Sequence, residues 1–277
     1  MASRDILLTG LPRSGTTLVC HLLNKLPDAV ALAEPMNVGR LSKLPTRAAI
    51  LDGIAQFAAQ QRASLLTGGV AVSRHVEGTV QDNLFAPARG PDGLRHFHAA
   101  REAVCFDKPL NPDFALIIKH PAAFTALLPD LAGRFPCYAV IRNPLSVLAS
   151  WNSTRMPVND GHAPAAEQHD PGLKQTLSTL PDRFDRQVAL LWWYFGQYHQ
   201  HLAPDHILRY EDIIESGGGG LAAIAPSAAS LKHPLENRNR NTVYDWDAIS
   251  PLAERLLMSE GPYWKFYTRA DIRGLLT

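Results

Sequence analysis

Cysteine is scarce in this chain, and neither sign of charge dominates. Its 277 residues include three cysteines, Cys20, Cys105 and Cys137, which are too widely spaced for a disulfide framework or a zinc cluster. Lysine and arginine number 27 against 26 aspartates and glutamates, so the formal net charge is +1. This balance gives no bulk attraction to nucleic acid or to an acidic membrane, and any anion-binding site must therefore be local.

Long hydrophobic runs are also missing. The longest apolar stretches, such as Val188–Phe195, fall far short of the roughly 20 residues that a transmembrane helix needs. No secretory signal is expected, because Met1–Asp5 lead directly into a strand-like run that a glycine closes. Hydrophobic residues nevertheless make up 46% of the chain, which is enough for a sizeable core. These observations favour a cytoplasmic enzyme or binding protein.

Short apolar runs alternate with segments of helical periodicity. The apolar runs predict five strands: Asp5–Thr9, Ala29–Ala33, Ala115–Lys119, Cys137–Ile141 and His206–Tyr210. The periodic segments predict five helices: Thr16–Leu26, Arg47–Leu66, Pro121 to about Leu128, Leu145–Trp151 and Asp182–His201. Apolar strands that alternate with helices are typical of a parallel sheet covered on both faces. We therefore predict an α/β fold in a single domain over residues 1–277.

Two long segments lack this alternation. Residues 68–113 are polar and rich in glycine and proline, and they receive no assignment. Residues 153–181 contain four prolines and no apolar period, which predicts a long exposed loop of the kind that often has a function. The run Gly217–Gly220 predicts a flexible break that does not divide the domain.

A glycine loop lies where the first strand would pass into the first helix. Gly10–Thr17 reads Gly-Leu-Pro-Arg-Ser-Gly-Thr-Thr. The first N–H groups of a helix lack intrahelical partners, and the helix dipole adds about half a positive charge there, so an anion is favoured. The spacing is similar to Walker A, but Thr16 occupies the lysine slot and Arg13 supplies a cation earlier. Since a nucleoside triphosphatase needs that lysine and a Mg²⁺ ligand, the loop predicts a phosphate site without metal machinery, or else a plain strand–turn–helix.

Three segments together resemble a known family. Leu11–Thr17 resembles the 5′-phosphosulfate loop of sulfotransferases that use 3′-phosphoadenosine-5′-phosphosulfate (PAPS), in the Pro-Arg-Ser-Gly-Thr-Thr form of the bacterial and Golgi-like branch. Val140–Pro144, with Ser150 eight residues after Arg142, resembles the family's 3′-phosphate motif, and Leu208–Asp212 resembles its later Tyr-Glu-Asp segment. The resemblance implies a P-loop-like parallel sheet flanked by helices on both faces. It also implies transfer of the sulfuryl group from PAPS, as co-substrate, to a hydroxyl or an amine of an acceptor.

The resemblance gives each phosphate of the donor its own set of residues. The 5′-phosphosulfate would be held by the loop residues Arg13, Ser14, Gly15, Thr16 and Thr17. Within this set, Arg13 would neutralise the charge that builds on the bridging oxygen as the sulfuryl group leaves.

The 3′-phosphate would be bound by Arg142 and Ser150, because the planar fork of an arginine binds two phosphate oxygens. Ser146 is the alternative to Ser150. Tyr210 would contact the nucleotide, unless it belongs to the core. The segment Asn237–Asn241, which contains Arg238 and Arg240, would close over the 3′-phosphate, although it lacks the family's Arg-Lys-Gly form and is otherwise a solvated polar turn.

A carboxylate is the expected base. Glu34, followed by Pro35, falls where the bacterial and Golgi-like branch carries its catalytic glutamate, at a sheet edge that would face the glycine loop. His120 is the alternative, because cytosolic members of the family use a histidine after a comparable strand. We prefer Glu34, since Lys119–Pro121 resembles the Lys-x-Pro segment of the glutamate-bearing branch. Lys119 is expected either near the transferred group or paired with Glu34.

The expected partner is a small-molecule acceptor bound under residues 67–112 and 153–181, as acceptor-binding or lid segments. We expect neither nucleic acid nor a membrane as a partner, and a homodimer stays open. No metal site is expected, because the histidine pairs of the sequence lack a third ligand at a suitable spacing. Two other classes stay open: a P-loop small-molecule kinase using ATP and Mg²⁺, and a non-catalytic nucleotide-binding protein.

Overall fold

The computed structural model describes residues 4–276, so Met1–Ser3, part of the segment in which no secretory signal is predicted, lie outside it. Strands of the described range form two sheets. In chain order the strands are β1 (Asp5–Gly10), β2 (Ala29–Ala33), β3 (Val70–His75), β4 (Ala100–Cys105), β5 (Ala115–Lys119), β6 (Cys137–Ile141) and β7 (Ile207–Arg209).

Helices occupy most of the connections between these strands. In chain order they are α1 (Thr16–Leu23), α2 (Val38–Leu41), α3 (Arg47–Gly68), α4 (Pro121–Leu131), α5 (Pro144–Asn152), α6 (Pro164–Glu167), α7 (Pro171–Thr179), α8 (Arg183–His201), α9 (Tyr210–Glu215), α10 (Trp246–Met258) and α11 (Arg269–Arg273). Within the range described, no helix is both long enough and apolar enough to cross a bilayer.

The main sheet is parallel and has the strand order β2-β5-β1-β6-β7. The connection through α1 runs from β1 across to β2, whereas the connection through α4 runs the opposite way, from β5 to β6. Because such crossovers are right-handed, the two helices cover opposite faces of the sheet. The predicted α/β fold with helices on both faces is confirmed.

Burial explains the sequences of three strands of the main sheet. Every residue of β2, β5 and β6 is buried, since both faces of these strands are covered. Such strands show continuous apolar runs rather than alternation, and the three predicted ranges match the observed ones. The edge strand β7 is only half-buried and is shorter than the predicted strand His206–Tyr210.

The unassigned segment contains the second sheet. Strands β3 and β4 pair antiparallel, and β4 is exposed along most of its length. Its sequence, Ala-Arg-Glu-Ala-Val-Cys, therefore gives no apolar signal. The hairpin is tied to the main sheet by Ser73 of β3, whose buried Oγ accepts a hydrogen bond from the backbone N–H of Ala33 at 3.0 Å.

The prediction that residues 153–181 form a long exposed loop is wrong. This segment contains α6, α7 and a 3₁₀ turn at Pro157–Asp160, and Leu173 and Leu177 of α7 are buried. Each of the three helical pieces carries proline in its first turn, where the missing N–H is not needed and the fixed φ suits a helix. The prolines therefore start short helices instead of marking irregular chain.

The glycine run is an ordered turn rather than a flexible break. Gly217 and Gly218 are buried with φ of 63° and 99°, and their N–H groups donate to the carbonyls of Ile214 and Ile213. A 3₁₀ turn at Gly219–Ala223 follows. Glycine is needed here because a Cβ on Gly217 would lie 2.8 Å from the carbonyl oxygen of His233.

Candidate functional site

The carboxyl ends of all five parallel strands meet around one cavity of about 710 Å³. Each strand is followed, or ended, by a residue that the sequence analysis selected. The glycine loop follows β1, Glu34 follows β2, Lys119 ends β5, Arg142 follows β6 and Tyr210 follows β7. Parallel sheets bind ligands at this edge, where the connections diverge to the two faces.

The glycine loop leaves hydrogen-bond donors free at the start of α1. Gly15 is the N-cap and has no side chain that could cap the helix. Its φ is 100°, and a Cβ on it would lie 2.8 Å from Cδ2 of Tyr210, so only glycine fits this position. Within the described chain, the fully buried Oγ of Ser14 has no hydrogen-bond partner. Free N–H groups beside a free hydroxyl suit the oxygens of an anion.

A salt bridge joins the loop to the candidate base. Nζ of Lys119 lies 2.7 Å from Oε1 of Glu34 and donates to Oγ1 of Thr17 at 3.3 Å. Nε of Arg74 lies 3.4 Å from the second carboxylate oxygen. Burial alone would raise the pKa of Glu34, but Lys119, His120 and Arg74 oppose it and lower the pKa to about 2.

Glu34 faces the cavity and carries a charge at neutral pH. Its side chain is 30% exposed, whereas that of Lys119 is 2% exposed. The carboxylate can therefore contact a ligand while the buried ammonium of Lys119 fixes the position of the carboxylate. The backbone of Glu34 is held in turn, because its N–H donates to the carbonyl of Lys119 at 2.8 Å.

The imidazole of His120 is occupied by the backbone. Its Nε2 accepts a hydrogen bond from the N–H of Met36 at 3.1 Å. Burial lowers the pKa of His120 to about 3, although the charge of Glu34 acts to raise it. His120 is therefore neutral, and the lone pair that would accept a proton is already used.

Arg13 does not extend over the loop to which it belongs. Its Nε donates to Oγ of Ser150 at 3.1 Å, its Nη1 donates to Asn83 at 3.0 Å, and its guanidinium lies 4.6 Å from the ring centroid of Phe85. The two phosphate sets of the sequence analysis are thus in direct contact through Arg13 and Ser150. Burial and the charge of Arg95 lower the pKa of Arg13 to about 10.

Arg142 connects the loop to the segment near residue 239. Its Nη1 donates to the carbonyl of Arg13 at 3.1 Å, its Nε donates to Oδ1 of Asn239 at 2.7 Å, and its Nη2 donates to the carbonyl of Arg238. Ser146, the alternative to Ser150, donates to the carbonyl of Asn239 at 3.0 Å. Ser146 is therefore engaged away from Arg13, whereas Ser150 contacts it.

Tyr210 and Arg238 reach the cavity, and Arg240 does not. The ring of Tyr210 packs on Gly15, and the guanidinium of Arg142 lies 4.5 Å from its centroid. The hydroxyl of Tyr210 accepts a hydrogen bond from the N–H of Arg238 at 3.0 Å. Arg238 lines the cavity, whereas Arg240 is exposed and is not among the lining residues.

Backbone strain occurs at two of the candidate catalytic residues. Among non-glycine residues of the described chain, positive φ occurs at Arg13 (72°), Glu34 (45°) and Glu77 (50°). A left-handed backbone costs such residues roughly 1–2 kcal/mol. Strain of this kind persists where the surrounding structure enforces it, often at functional sites.

Several cavity residues have no counterpart in the sequence analysis. They come from the segment left unassigned and from the loop before α10: Arg74, Asn83, Phe85, Arg95 and Tyr244. Seven cationic side chains and three carboxylates line the cavity, so its local charge is positive although the chain is nearly neutral. In the part of the chain that the structure covers, no three His, Cys, Asp or Glu side chains are placed to hold a metal ion.

Two solved structures are similar to this chain over most of its length. No family model and no curated protein matches the chain. Among solved structures, sulfotransferase STF9 from Mycobacterium avium is similar over 97% of this chain and 78% of that one, with 13% identity and a TM-score of 0.35. Sulfotransferase STF1 from Mycobacterium tuberculosis is similar over 92% and 77%, with 16% identity and a TM-score of 0.36. The residues of the cavity are therefore the main indication of the function.

Proposed function

We propose that this protein is a PAPS-dependent sulfotransferase that acts on a hydroxyl or an amine of a small-molecule acceptor. The observation that supports this most directly is the position of Lys119. Its ammonium touches both Thr17 of the anion-binding loop and the carboxylate of Glu34. One cation thus joins the group that would hold a leaving anion to the group that would accept a proton.

The residues of the cavity fit a donor with two charged ends. The loop offers N–H groups at the start of α1 and the hydroxyl of Ser14, which has no partner among the described residues, and the guanidinium of Arg142 lies 4.5 Å from the ring centroid of Tyr210. PAPS supplies the sulfuryl group when it is bound. The ring of Tyr210, which lines the cavity beside both sets, is expected to contact the nucleotide.

Glu34 would act as the general base. It takes the proton of the acceptor O–H or N–H as that atom forms its bond to sulfur, and the electron pair of the broken S–O bond passes to the phosphate. The loop amides and Arg13 would neutralise that phosphate, a task for which prearranged donors are effective. Arg13 would have to exchange its contact with Ser150 for one with the ligand.

A general base needs a pKa closer to neutrality than about 2. Lys119 and Arg74 are what lower the pKa of Glu34, and both lie at the cavity. A bound anion that attracts Lys119 would weaken its hold on Glu34 and raise the pKa. His120 is a weaker candidate, because its acceptor nitrogen is bonded to Met36.

The acceptor would bind on the side of the cavity formed by residues 67–112 and 153–181. Phe85 and Phe97 come from the first segment, and Met156 and Pro157 from the second. This lining suits a molecule with an apolar body. A cytoplasmic location, independence from metal and a homodimer are further expectations that accompany this proposal.

Calorimetric titration with adenosine 3′,5′-bisphosphate, ATP and AMP tests the nucleotide part of the proposal. We expect the bisphosphate to bind most tightly. Heat with ATP, but none with the bisphosphate, would contradict the proposal and favour the kinase class.

Transfer from ³⁵S-labelled PAPS to a panel of phenols, alcohols and amines tests the chemistry. We expect Glu34→Gln and Arg13→Ala to abolish most transfer, whereas Glu254→Gln and Arg134→Ala, matched changes at exposed positions, should not. Full transfer by both site variants would refute the roles given to them. Bisphosphate binding without transfer to any acceptor, with Glu34→Gln unchanged, would favour a non-catalytic nucleotide-binding protein.

A further inference from the structure

Three guanidinium groups lie at one end of the cavity without a carboxylate partner. Arg95 and Arg142 are each 5% exposed, and Arg13 lines the cavity beside them. Each bonds to neutral groups: Arg13 to Ser150 and Asn83, Arg95 to Ser153, and Arg142 to Asn239 and two carbonyls. Within residues 4–276, none of the three belongs to an ion pair.

Arg95 and Arg13 are fixed to the same turn of α5. Nη2 of Arg95 donates to Oγ of Ser153 at 3.1 Å, and that hydroxyl donates to the carbonyl of Ser150 at 2.9 Å. Oγ of Ser150 accepts from Arg13. Nε of Arg95 is buried and has no hydrogen-bond partner among the described residues. One N–H of a buried guanidinium therefore remains available for a ligand.

The pKa values of nearby groups indicate a positive electrostatic potential at this cluster. After burial, the charge of Arg95 is the largest cause that lowers the pKa of Arg13. Burial should raise the pKa of Tyr244, yet it is lowered, because Arg142 and Arg13 favour the phenolate and Ser150 hydrogen-bonds to it. A buried tyrosine that becomes more acidic lies where negative charge is stabilised.

The protein neutralises this cluster only in part. The carbonyl end of α5 contributes about half a negative charge, and Asp82 attracts Arg13 without forming an ion pair with it. A buried charge without a partner is destabilising, so three guanidinium groups favour an anion of more than one charge. A phosphate monoester dianion has that charge and matches the planar donors of arginine.

We propose that Arg95 is a further binding residue for the donor, contacting its second phosphate together with Arg142, while Arg13 serves the 5′ end. This rests on the proposed function, which identifies the anion beside Arg95 and Arg142 as the 3′-phosphate. Arg95 then determines whether the protein distinguishes a nucleotide with two phosphates from one with a single 5′-phosphate. No sequence motif marks it, because it lies in the segment without regular periodicity.

The test compares adenosine 3′,5′-bisphosphate with AMP by calorimetry in the wild type and in Arg95→Gln. The control is Arg134→Gln, an equal loss of charge at an exposed position that pairs with Asp52. We expect Arg95→Gln to weaken bisphosphate binding about 10- to 100-fold, as for a lost hydrogen bond to a charged group. AMP binding should change less than about threefold, since AMP lacks the second phosphate.

Equal weakening of both nucleotides, or of neither, would overturn the proposal. If Arg95→Gln does not fold, as judged by circular dichroism, Arg95→Lys takes its place under the same criteria, because lysine keeps the charge but loses the planar fork. If the wild type binds neither nucleotide, the proposed function fails, and inorganic phosphate then tests the site alone. A phosphate-induced rise in melting temperature that Arg95→Gln abolishes would support the site, and an equal rise in both proteins would refute it.

Discussion

Replacing Glu34 by glutamine should destabilise the protein as well as disable it. The change removes the charge that faces Lys119, whose side chain is 2% exposed. The ammonium would keep two neutral acceptors, the amide oxygen of the glutamine and Oγ1 of Thr17 at 3.3 Å, but no counter-charge. Breaking a buried ion pair in this way is costly, because one charge stays buried without its partner.

The pKa of Glu34 gives the size of the expected destabilisation. It falls from an ordinary value of 4.5 to about 2 on folding, and at 1.36 kcal/mol per unit this corresponds to about 3 kcal/mol of stability. Because the folded pKa is the lower one, the contribution is fully present above pH 4.5 and is lost as the pH falls towards 2. About 0.8 kcal/mol of it should be lost by pH 4.

Urea unfolding of the wild type and Glu34→Gln between pH 7 and pH 4 measures both quantities. The difference in free energy of unfolding should be about 3 kcal/mol at pH 7 and should shrink towards pH 4. Glu254→Gln, at an exposed position on α10, controls for the chemical change. A difference below about 1 kcal/mol at pH 7, or one that is constant down to pH 4, would refute the reasoning.

Two further predictions concern single positions. Gly15→Ala should destabilise the protein by more than about 1 kcal/mol in thermal melting, because it has φ of 100° and its Cβ would meet Tyr210; an equal effect of Gly133→Ala, where a Cβ meets nothing, would contradict this. Iodoacetamide at pH 8 should alkylate Cys105, which is exposed, but spare Cys20 and Cys137, since burial raises the pKa of both to about 12; mass spectrometry of the folded and urea-unfolded protein decides.

The main sheet could be predicted because its strands are covered on both faces. The run Ala-Leu-Ile-Ile in β5 is apolar up to the lysine that ends the strand. The order of such runs along the chain, with helices between them, leaves few alternatives. The residue that ends each such run is then placed at one edge of the sheet. This is why Glu34, Lys119 and Arg142 could be expected to meet, although they are far apart in the sequence.

The hairpin and the 153–181 segment could not be predicted in the same way. Strand β4 exposes most of its residues, so its sequence has no alternation to recognise, and Arg95 follows no motif at all. In 153–181 the short helices depend on tertiary contacts, such as the amide of Gln187 that donates to the carbonyls of Val158 and Asn159. Contacts between distant segments leave no local signal.

The position of the Arg13 side chain could not be predicted from the sequence, for a different reason. The sequence places it in the loop, and the resemblance directs it towards the 5′ end of the donor. Its backbone adopts φ of 72°, and its side chain then reaches Ser150, 137 residues further along the chain. Neither this backbone angle nor the contact with Ser150 leaves a signal in composition or spacing.

The three-way bonding of Arg142 has a consequence for deletions in the last part of the chain. Its guanidinium fastens the carbonyl of Arg13 near the amino terminus to Asn239 and Arg238 near the other end. A truncation before residue 238 would remove Arg238 and Asn239, which supply two of the three hydrogen-bond acceptors of Arg142. Only the carbonyl of Arg13 would remain as an acceptor. Such truncations should therefore loosen the glycine loop at Gly10–Thr17, more than two hundred positions away, in addition to removing the buried residues of α10.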